Sequence, residues 1–509
     1  MLTNKDLIQL KEHGISADKA AKQLETFIKG IPPMYVITAA SVGNGIRIIG
    51  PEDQKQLIAL YDAKKPPLDI VKFVPASGAA TRMFKVLHTF LDTYDPEVEK
   101  FKKYLKESSD KQLLAFFSAL QDFAFTGQVR KKIRENHLDY KRSNIGQRNF
   151  YFVETLLKEE GLNYAALPKG LIPFHKYAKY AVTAFEEQLY ETAYYATAKE
   201  DAYLHFTFSE NHVEKFKKEF EAVKKRVSKK TKTKFHISYS FQKKETDTLA
   251  VGEDNMPFRD KDNNLVLRPS GHGALIENLN DVNADIIFIK NIDNVVAQEY
   301  VPEIAHYKKV LAGKLLWLQH KIFGYLELLE KNKVTTDHIN EITSFIWNQL
   351  NLKGIPEGKS ELMFVLNRPL RVCGVVKNTG APGGGPFWVQ GETGITTLQI
   401  VEMAQMNTNS ELQKGIVNEA THFNPVDIVC GIRDYKGGKF DLTKFVDSKS
   451  GFISNKSQGG KPLKSLELPG LWNGAMAKWN TALVEVPLKT FNPVKTVVDL
   501  LSREHQPNA

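Results

Sequence analysis

Apolar and polar positions recur along this chain with two periods, and each change of period marks a change of element. Residues 1–65 carry helical spacing, with Thr3 and Ser16 placed as N-caps, Gly30 as a stop, and Pro32 and Pro33 preventing continuation. A helical cap over residues 1–66 is expected. Residues 68–74 form a short β-branched run that predicts a strand. Small residues follow at once and lead into a helix-like pattern. Residues 86–165 are dense in Leu, Phe, Lys and Glu, with Phe101, Tyr104 and Leu105 sharing one helical face, which predicts a helical insertion over about residues 88–165. From residue 203 onward short strands (203–208, 234–241, 286–289) alternate with helical stretches beginning near Asn211 and Gly273. Such alternation predicts an α/β sheet with helices packed on it. Residues 311–351 return to helix, and 363–440 mix strands with glycine-rich turns.

Length and composition narrow the class. A chain of 509 residues suggests about three domains, although large α/β enzymes often build that length around one sheet. The apolar share of 42% and charged share of 25% exclude collagen-like, mucin-like and wholly disordered chains. No apolar run approaches the length of a membrane span; the stretch at 286–289 is bounded by Asp285 and Lys290. The first residues lack a secretion signal pattern, and Cys373 and Cys430 are the only cysteines, so a cytoplasmic location is expected. A net charge of +10 suits either a polyanionic partner or a site for phosphorylated ligands. Seven of the eleven residues from Lys224 to Lys234 are basic. The spacing of Phe216, Phe220, Val223 and Val227 makes that stretch a helix with one buried stripe and a solvated basic face. With no accompanying nucleic-acid motif, no nucleic-acid partner is expected.

Candidate chemistry sits at predicted strand ends. Ser77, Gly78, Ala79, Ala80 and Thr81 are small enough to let backbone N–H groups approach an anion, and Arg82 adds a bidentate phosphate donor. The loop has neither a Walker A lysine nor a GxGxxG spacing, and small residues after a strand also serve plain helix–sheet packing. Lys169 lies in a Pro-Lys-Gly turn, Gly271, His272 and Gly273 in a second glycine-rich turn, and Asp293 directly after an apolar strand. In open α/β sheets ligands bind beyond the carboxyl ends of strands. Asp293 is therefore a candidate hard-cation ligand, or else a turn-capping aspartate. None of the thirteen histidines forms an HExxH pair, so a zinc site is not expected.

Taken in order, these segments resemble the UDP-sugar pyrophosphorylase superfamily. Residues 77–83 resemble its GGxGTRxG loop, 167–171 its PKG segment, 206–212 its MTSxxT strand and helix start, and 241–243 its FQQ or FNQ. Residues 269–273 resemble its PPGHG turn, 291–294 its strand-end DN, 400–402 its VVEYSE strand, Phe423 and Asn424 its FN, and 491–501 its FxPVKxxxDLL. Residues 381–388 and 468–474 are similar to a bacterial branch of that superfamily described as a domain of unknown function. The resemblance implies a GT-A-like (Rossmann-like) nucleotidyltransferase core with a mixed central sheet, its nucleotide-binding half in 67–362 and its sugar-binding and closing half in 363–509.

The implied reaction joins a nucleoside triphosphate, with UTP favoured, to a sugar 1-phosphate and releases pyrophosphate. The implied roles are Arg82, Lys169 and Lys495 on the phosphates, and Asp293 on Mg²⁺. Ser77, Gly78, Ala79, Ala80, Thr81, Gln242, Gly271, His272 and Gly273 fall to the nucleotide, and Gly384, Gly385, Glu402, His422 and Asn424 to the sugar. A monomer or weak homo-oligomer is expected. Four departures bear on the base: Ser77 and Ala80 stand where the family has glycine, Ala274 where the glucose enzymes have Asp, and Lys243 where they have Gln. Ala80 and Ala274 motivate the alternative of a catalytically silent nucleotide-sugar binding protein of the same fold.

Overall fold

The computed structural model describes residues 2–76, 78–137, 140–331, 334–356, 358–380, 384–391 and 394–507. The chain divides into two compact units. The first holds Met1–Phe73, Ser240–Ile289 and Tyr307–Leu488, and the second holds Val74–Tyr239, Lys290–His306 and Lys489–Ala509. The division expected from the sequence, 1–66, 67–362 and 363–509, is consecutive, whereas the units are interleaved. Strands far apart in the chain pair with one another, and local patterns carry no record of such pairings.

The first unit is built on a mixed sheet. Ser41–Val42 pairs in parallel with Gly45–Arg47, which pairs in parallel with Asn480–Glu485; that strand in turn lies parallel to Leu370–Lys377. His422–Gly431 is antiparallel both to Leu370–Lys377 and to Ile286–Ile289, and Ile286–Ile289 runs parallel to residues 70–73. Burial on both faces explains the continuous apolar runs of these strands: all four residues of Ile286–Ile289 and all ten of His422–Gly431 are buried. Phe73, Ile287, Ile289, Cys373, Ile428, Cys430 and Leu483 form the middle of its core.

The N-terminal segment combines helix and strand, which corrects the expectation of a helical cap. Thr3 and Ser16 cap the helices Asn4–Glu12 and Ala17–Lys29, and Gly30 ends the second with φ +74. Between Lys29 and the next helix, Pro51–Lys64, the chain is extended: Val36–Ala39 pairs antiparallel with Gly385–Gln390, and Gly45–Arg47 joins the main sheet. Val36, Ile37, Thr38 and Ile46 are β-branched, and sheet partners some 350 and 440 positions away decide their conformation.

The second unit carries the helical insertion. Lys85–Thr93, Phe101–Ser108, Lys111–Ser118, Thr126–Asn136 and Ile145–Leu157 enclose an aromatic core of Phe84, Phe90, Phe101, Phe116, Phe123, Phe125 and Phe152. Phe123 and Phe125 stack at 5.1 Å, while Phe101 and Phe117 meet edge to face at 4.9 Å. Val494, Val497 and Leu500, near the chain end, belong to the same core. The strands Asp201–Thr207 and Lys234–Ser240 pair with each other in this unit, linked by the helix Val213–Thr231. That helix buries Phe216, Val223 and Val227 and turns most of its lysines outward.

Candidate functional site

In the second unit, the loop after residue 76 lies alongside the Pro-Lys-Gly turn. The Ala80 N–H donates to the Leu167 carbonyl at 2.9 Å, the Lys169 N–H to the Gly78 carbonyl at 3.3 Å, and the Thr81 hydroxyl to the Ala165 carbonyl at 3.0 Å. The cradle and Lys169 are thereby tied together. Ser77 lies outside the described residues, and the Ala80 N–H is already committed to a protein carbonyl. Ala80–Arg82 is a single 3-10 turn, and the first full helix begins only at Lys85. Arg82 is exposed on that turn. The carbonyl of the next residue, Met83, accepts from the Val497 N–H at 2.9 Å, fixing the turn to the segment that follows Lys495.

Asp293 is where these pieces meet. Lys169 Nζ lies 2.7 Å from Asp293 Oδ2 and donates at 2.6 Å to the Val494 carbonyl; Lys495 Nζ approaches the same carboxylate oxygen at 3.5 Å. The Lys169 and Asp293 side chains are 13% and 8% exposed, whereas Lys495 is 58% exposed, so one ammonium group is enclosed and the other faces solvent. Burial works to raise the Asp293 pKa, but the charges of Lys169 and Lys495 more than offset it and hold the carboxyl below its ordinary value.

The turn bearing Asp293 is pinned from three sides. The Ile292 N–H donates to the Pro75 carbonyl, and the Val494 N–H to the Asp293 carbonyl at 3.1 Å. Asn294 Oδ1 accepts from the Asn492 N–H at 2.9 Å, and Gln188 Nε2 donates to the carbonyls of Asn291 and Ile292. Gly170 explains its own presence, since a Cβ there would stand 2.9 Å from Phe216 and 3.1 Å from Ile292. Only glycine lets the lysine turn lie this close to the aspartate turn. Lys495 is presented by Asp499, whose carboxylate accepts from the N–H groups of both Lys495 and Thr496 at 2.7 Å.

Whether the donor set suits Mg²⁺ follows from the same geometry. Among the described residues, no group of three or more His, Cys, Asp and Glu is placed to hold a metal ion. Asp293 is a lone carboxylate flanked by cations. Mg²⁺ is commonly held by one or two carboxylates with substrate phosphates and water completing its shell, and Asp293 fits that mode.

The first unit gathers a second cluster. The ring of His272 stacks on Trp472 at 4.2 Å, and its Nδ1 accepts from the Leu471 N–H at 3.0 Å, which leaves the proton of a neutral ring on Nε2. Nε2 faces Glu402 Oε1 at 3.7 Å, and that oxygen also accepts from Asn473 Nδ2 at 2.7 Å. The nearby His272 ring leads the interactions that lower the Glu402 pKa against the effect of burial. Gly273 and Gly384 allow close approach: a Cβ at Gly273 would fall 2.4 Å from the Pro469 carbonyl oxygen, and one at Gly384 2.8 Å from Ile400. Gly271 has φ +78. His272, Glu402 and Gly384, which the sequence divided between base and sugar, therefore belong to one cluster around Asn473.

Other candidates are engaged elsewhere. His422 is buried between the Thr421 hydroxyl at 2.8 Å and Glu485 Oε2 at 2.9 Å. Asn424 donates to the Gly374 carbonyl and accepts from the Val426 N–H at 3.0 Å, shaping the bulge where Val426 takes φ +60. Gln242 reaches Asp247 at 3.4 Å, and a Cβ on Gly385 would press on Phe387. Conversely, sequence reasoning passed over Trp472, Asn473 and Gln188, which the structure places in contact with His272, Glu402 and the turn bearing Asp293. The first two stand in the quoted 468–474 segment, whose likeness carried no role. Gln188 sits among buried acidic residues on the helix Ala184–Tyr195.

A family profile described as "Domain of unknown function (DUF4301)" matches residues 3–506. The chain belongs to that family. A comparison with curated proteins gives no match. Among solved structures, the DUF4301 chain is similar to the UDP-glucose pyrophosphorylase of Leishmania major, known in open and closed forms. The two are 13% identical with a TM-score of 0.44, over 98% of this chain and 79% of the other. It is also similar to the uridine diphosphate N-acetylglucosamine pyrophosphorylase of Trypanosoma brucei, solved with an inhibitor, at 9% identity and a TM-score of 0.47 over 95% of this chain and 75% of that one.

Proposed function

We propose that the protein is a sugar-1-phosphate nucleotidyltransferase with a GT-A-like core, forming a nucleotide sugar and pyrophosphate from a nucleoside triphosphate, UTP by preference. The observation that carries this reading is the direct contact of Lys169, Asp293 and Lys495, whose partners are 124 and 202 positions apart in the chain. These are residues to which the ordered motifs assign phosphate and metal handling.

In the proposed reaction a phosphate oxygen of the sugar 1-phosphate attacks the α-phosphorus of the triphosphate. A new P–O bond forms, the bond from the α-phosphorus to the α–β bridging oxygen breaks, and pyrophosphate leaves with that electron pair. The attacking oxygen is anionic near neutral pH and needs no general base. What remains for the protein is alignment and neutralisation of crowded charge. Lys169, fixed by Val494 and Asp293, holds the triphosphate; the solvent-facing Lys495 and the exposed Arg82 add their charge to it as it binds. Asp293 would hold Mg²⁺, which would supply further charge neutralisation. The only two cysteines, Cys373 and Cys430, are free and buried, which supports a cytoplasmic location for a monomer or weak homo-oligomer. Among the described residues no helix is long and apolar enough to cross a membrane.

One feature favours a second reading. Both lysines already neutralise Asp293, the state expected of a nucleotide-sugar binding protein without turnover. Pyrophosphate release on mixing triphosphate, sugar 1-phosphate and Mg²⁺ supports the enzyme. Saturable nucleotide-sugar binding with no release under the same conditions supports the silent protein.

A further inference from the structure

The first unit has a cavity of about 740 Å³ in which Arg47, Leu57, Leu60, Lys314 and Trp317 are among the lining residues. Its volume is that of a small-molecule site. It opens beside the crossing of the helices Pro51–Lys64 and Val301–Glu330, which nearly touch at Gly313: a Cβ there would stand 2.1 Å from the Leu57 carbonyl oxygen. None of its lining residues belongs to the clusters described above.

The cavity carries two cations and one carboxylate, Asp53. Lys314 is only 9% exposed, donates to Gln349 Oε1 at 2.9 Å and lies 4.1 Å from the centre of the Trp317 ring. Arg47 donates to the Asn348 carbonyl. Among the described residues neither cation forms an ion pair. Burial, followed by the charge of Arg47, brings the Lys314 pKa down to about 8. The charge of Asp53 opposes these effects only in part. A buried ammonium group kept beside a guanidinium is costly, and an anion between them relieves that cost.

We propose that this cavity binds a small organic anion with a flat apolar body, its acidic group between Lys314 and Arg47 and its body against Trp317, Leu57 and Leu60. The inference is independent of nucleotidyl transfer. Fluorescence titration of the full-length protein with 8-anilinonaphthalene-1-sulfonate tests it, with uncharged N-phenyl-1-naphthylamine as the control probe. Saturable binding of the sulfonate is expected, weakened about tenfold or more by Arg47→Gln and by Lys314→Gln, as loss of a charge-assisted contact requires. The uncharged probe is expected to bind equally to all three proteins. Unchanged sulfonate affinity in both folded variants overturns the proposal. Should the variants fail to fold, the wild-type protein gives the answer through modification of Lys314 by trinitrobenzenesulfonate, located by peptide mass spectrometry. Protection by the anilinonaphthalene sulfonate supports the site, and modification at an undiminished rate overturns it.

Discussion

At the scale of single residues, Asp293 is the pivot, because one carboxylate oxygen receives both Lys169 and Lys495. Asp293→Ala is expected to lower turnover by about 10²–10³-fold, the usual cost of removing a group that organises charge at a transferring phosphate. Its melting temperature is expected to fall as well, because the largely buried Lys169 ammonium loses its carboxylate partner and keeps only the Val494 carbonyl. Calorimetry and steady-state kinetics on the same preparations check this; a collapsed fold with retained activity would make Asp293 a structural cap. A double variant, Lys169→Met with Lys495→Met, removes the charges that hold the Asp293 pKa down. Burial then acts unopposed and the carboxyl is expected to titrate above its ordinary value, measurable by carboxylate NMR. Lys169 and Asp293 stood out in the sequence by their local setting, a lysine in a Pro-Lys-Gly turn and an aspartate ending an apolar strand, whereas Lys495 was singled out only by the resemblance of its PVK segment. Trp472 and Asn473 were not, because they act through His272 and Glu402, roughly 200 and 70 positions away. Ala80 was legible as small but not as already hydrogen-bonded.

At the scale of elements, the site depends on loops that packed elements hold in place. Gly170→Ala would drive a Cβ into Phe216 and Ile292 and lift the lysine turn from the aspartate turn. A rise in KM for triphosphate of about tenfold is expected, since small misplacements of a positioning group are felt strongly; an unchanged KM would show that the turn adjusts freely. Asp499→Ala leaves the Lys495 and Thr496 N–H groups without their shared acceptor. A loss of about 1 kcal/mol in unfolding free energy is expected, as for other caps, and chemical denaturation measures it. The helical insertion belongs to this scale as well. Its spacing announced helices, but not that they would share a core with Val494, Val497 and Leu500 and so buttress the segment presenting Lys495. Helix caps at Thr3 and Ser16 were readable because capping is local, whereas Val36–Ala39 is extended only because Gly385–Gln390 pairs with it.

At the scale of the whole molecule, a chain interleaved between two units has its order written in long-range pairings, which explains why the consecutive division expected from the sequence differs from the packing. One buried network makes the second unit sensitive to pH. Glu187 Oε1 meets His175 Nδ1 at 2.8 Å, His175 Nε2 meets His505 Nδ1 at 2.8 Å, and His505 Nε2 donates to the Asn492 carbonyl at 3.1 Å, three residues before Lys495. Burial lowers the pKa of both histidines, with His175 adding to the effect on His505. A folded-state pKa below the unfolded one gives a contribution that is complete above the unfolded value, about 6.5, and is lost as pH falls. The stability advantage of wild type over His505→Gln should therefore shrink by about 1.4 kcal/mol per pH unit below about pH 6.5. Denaturant titrations between neutral and mildly acidic pH read that slope directly, and a difference independent of pH would contradict it.

The central claim is that Lys169, Asp293 and Lys495 work together on a nucleoside triphosphate and a sugar 1-phosphate. Pyrophosphate release, measured with Mg²⁺ across the four common triphosphates and a panel of sugar 1-phosphates for wild type and Asp293→Ala, tests it most directly. The account predicts release with at least one pair, favouring UTP, lost on chelation of the metal and cut by orders of magnitude in the variant. No release from any pair, or release that Asp293→Ala leaves unchanged, would contradict it.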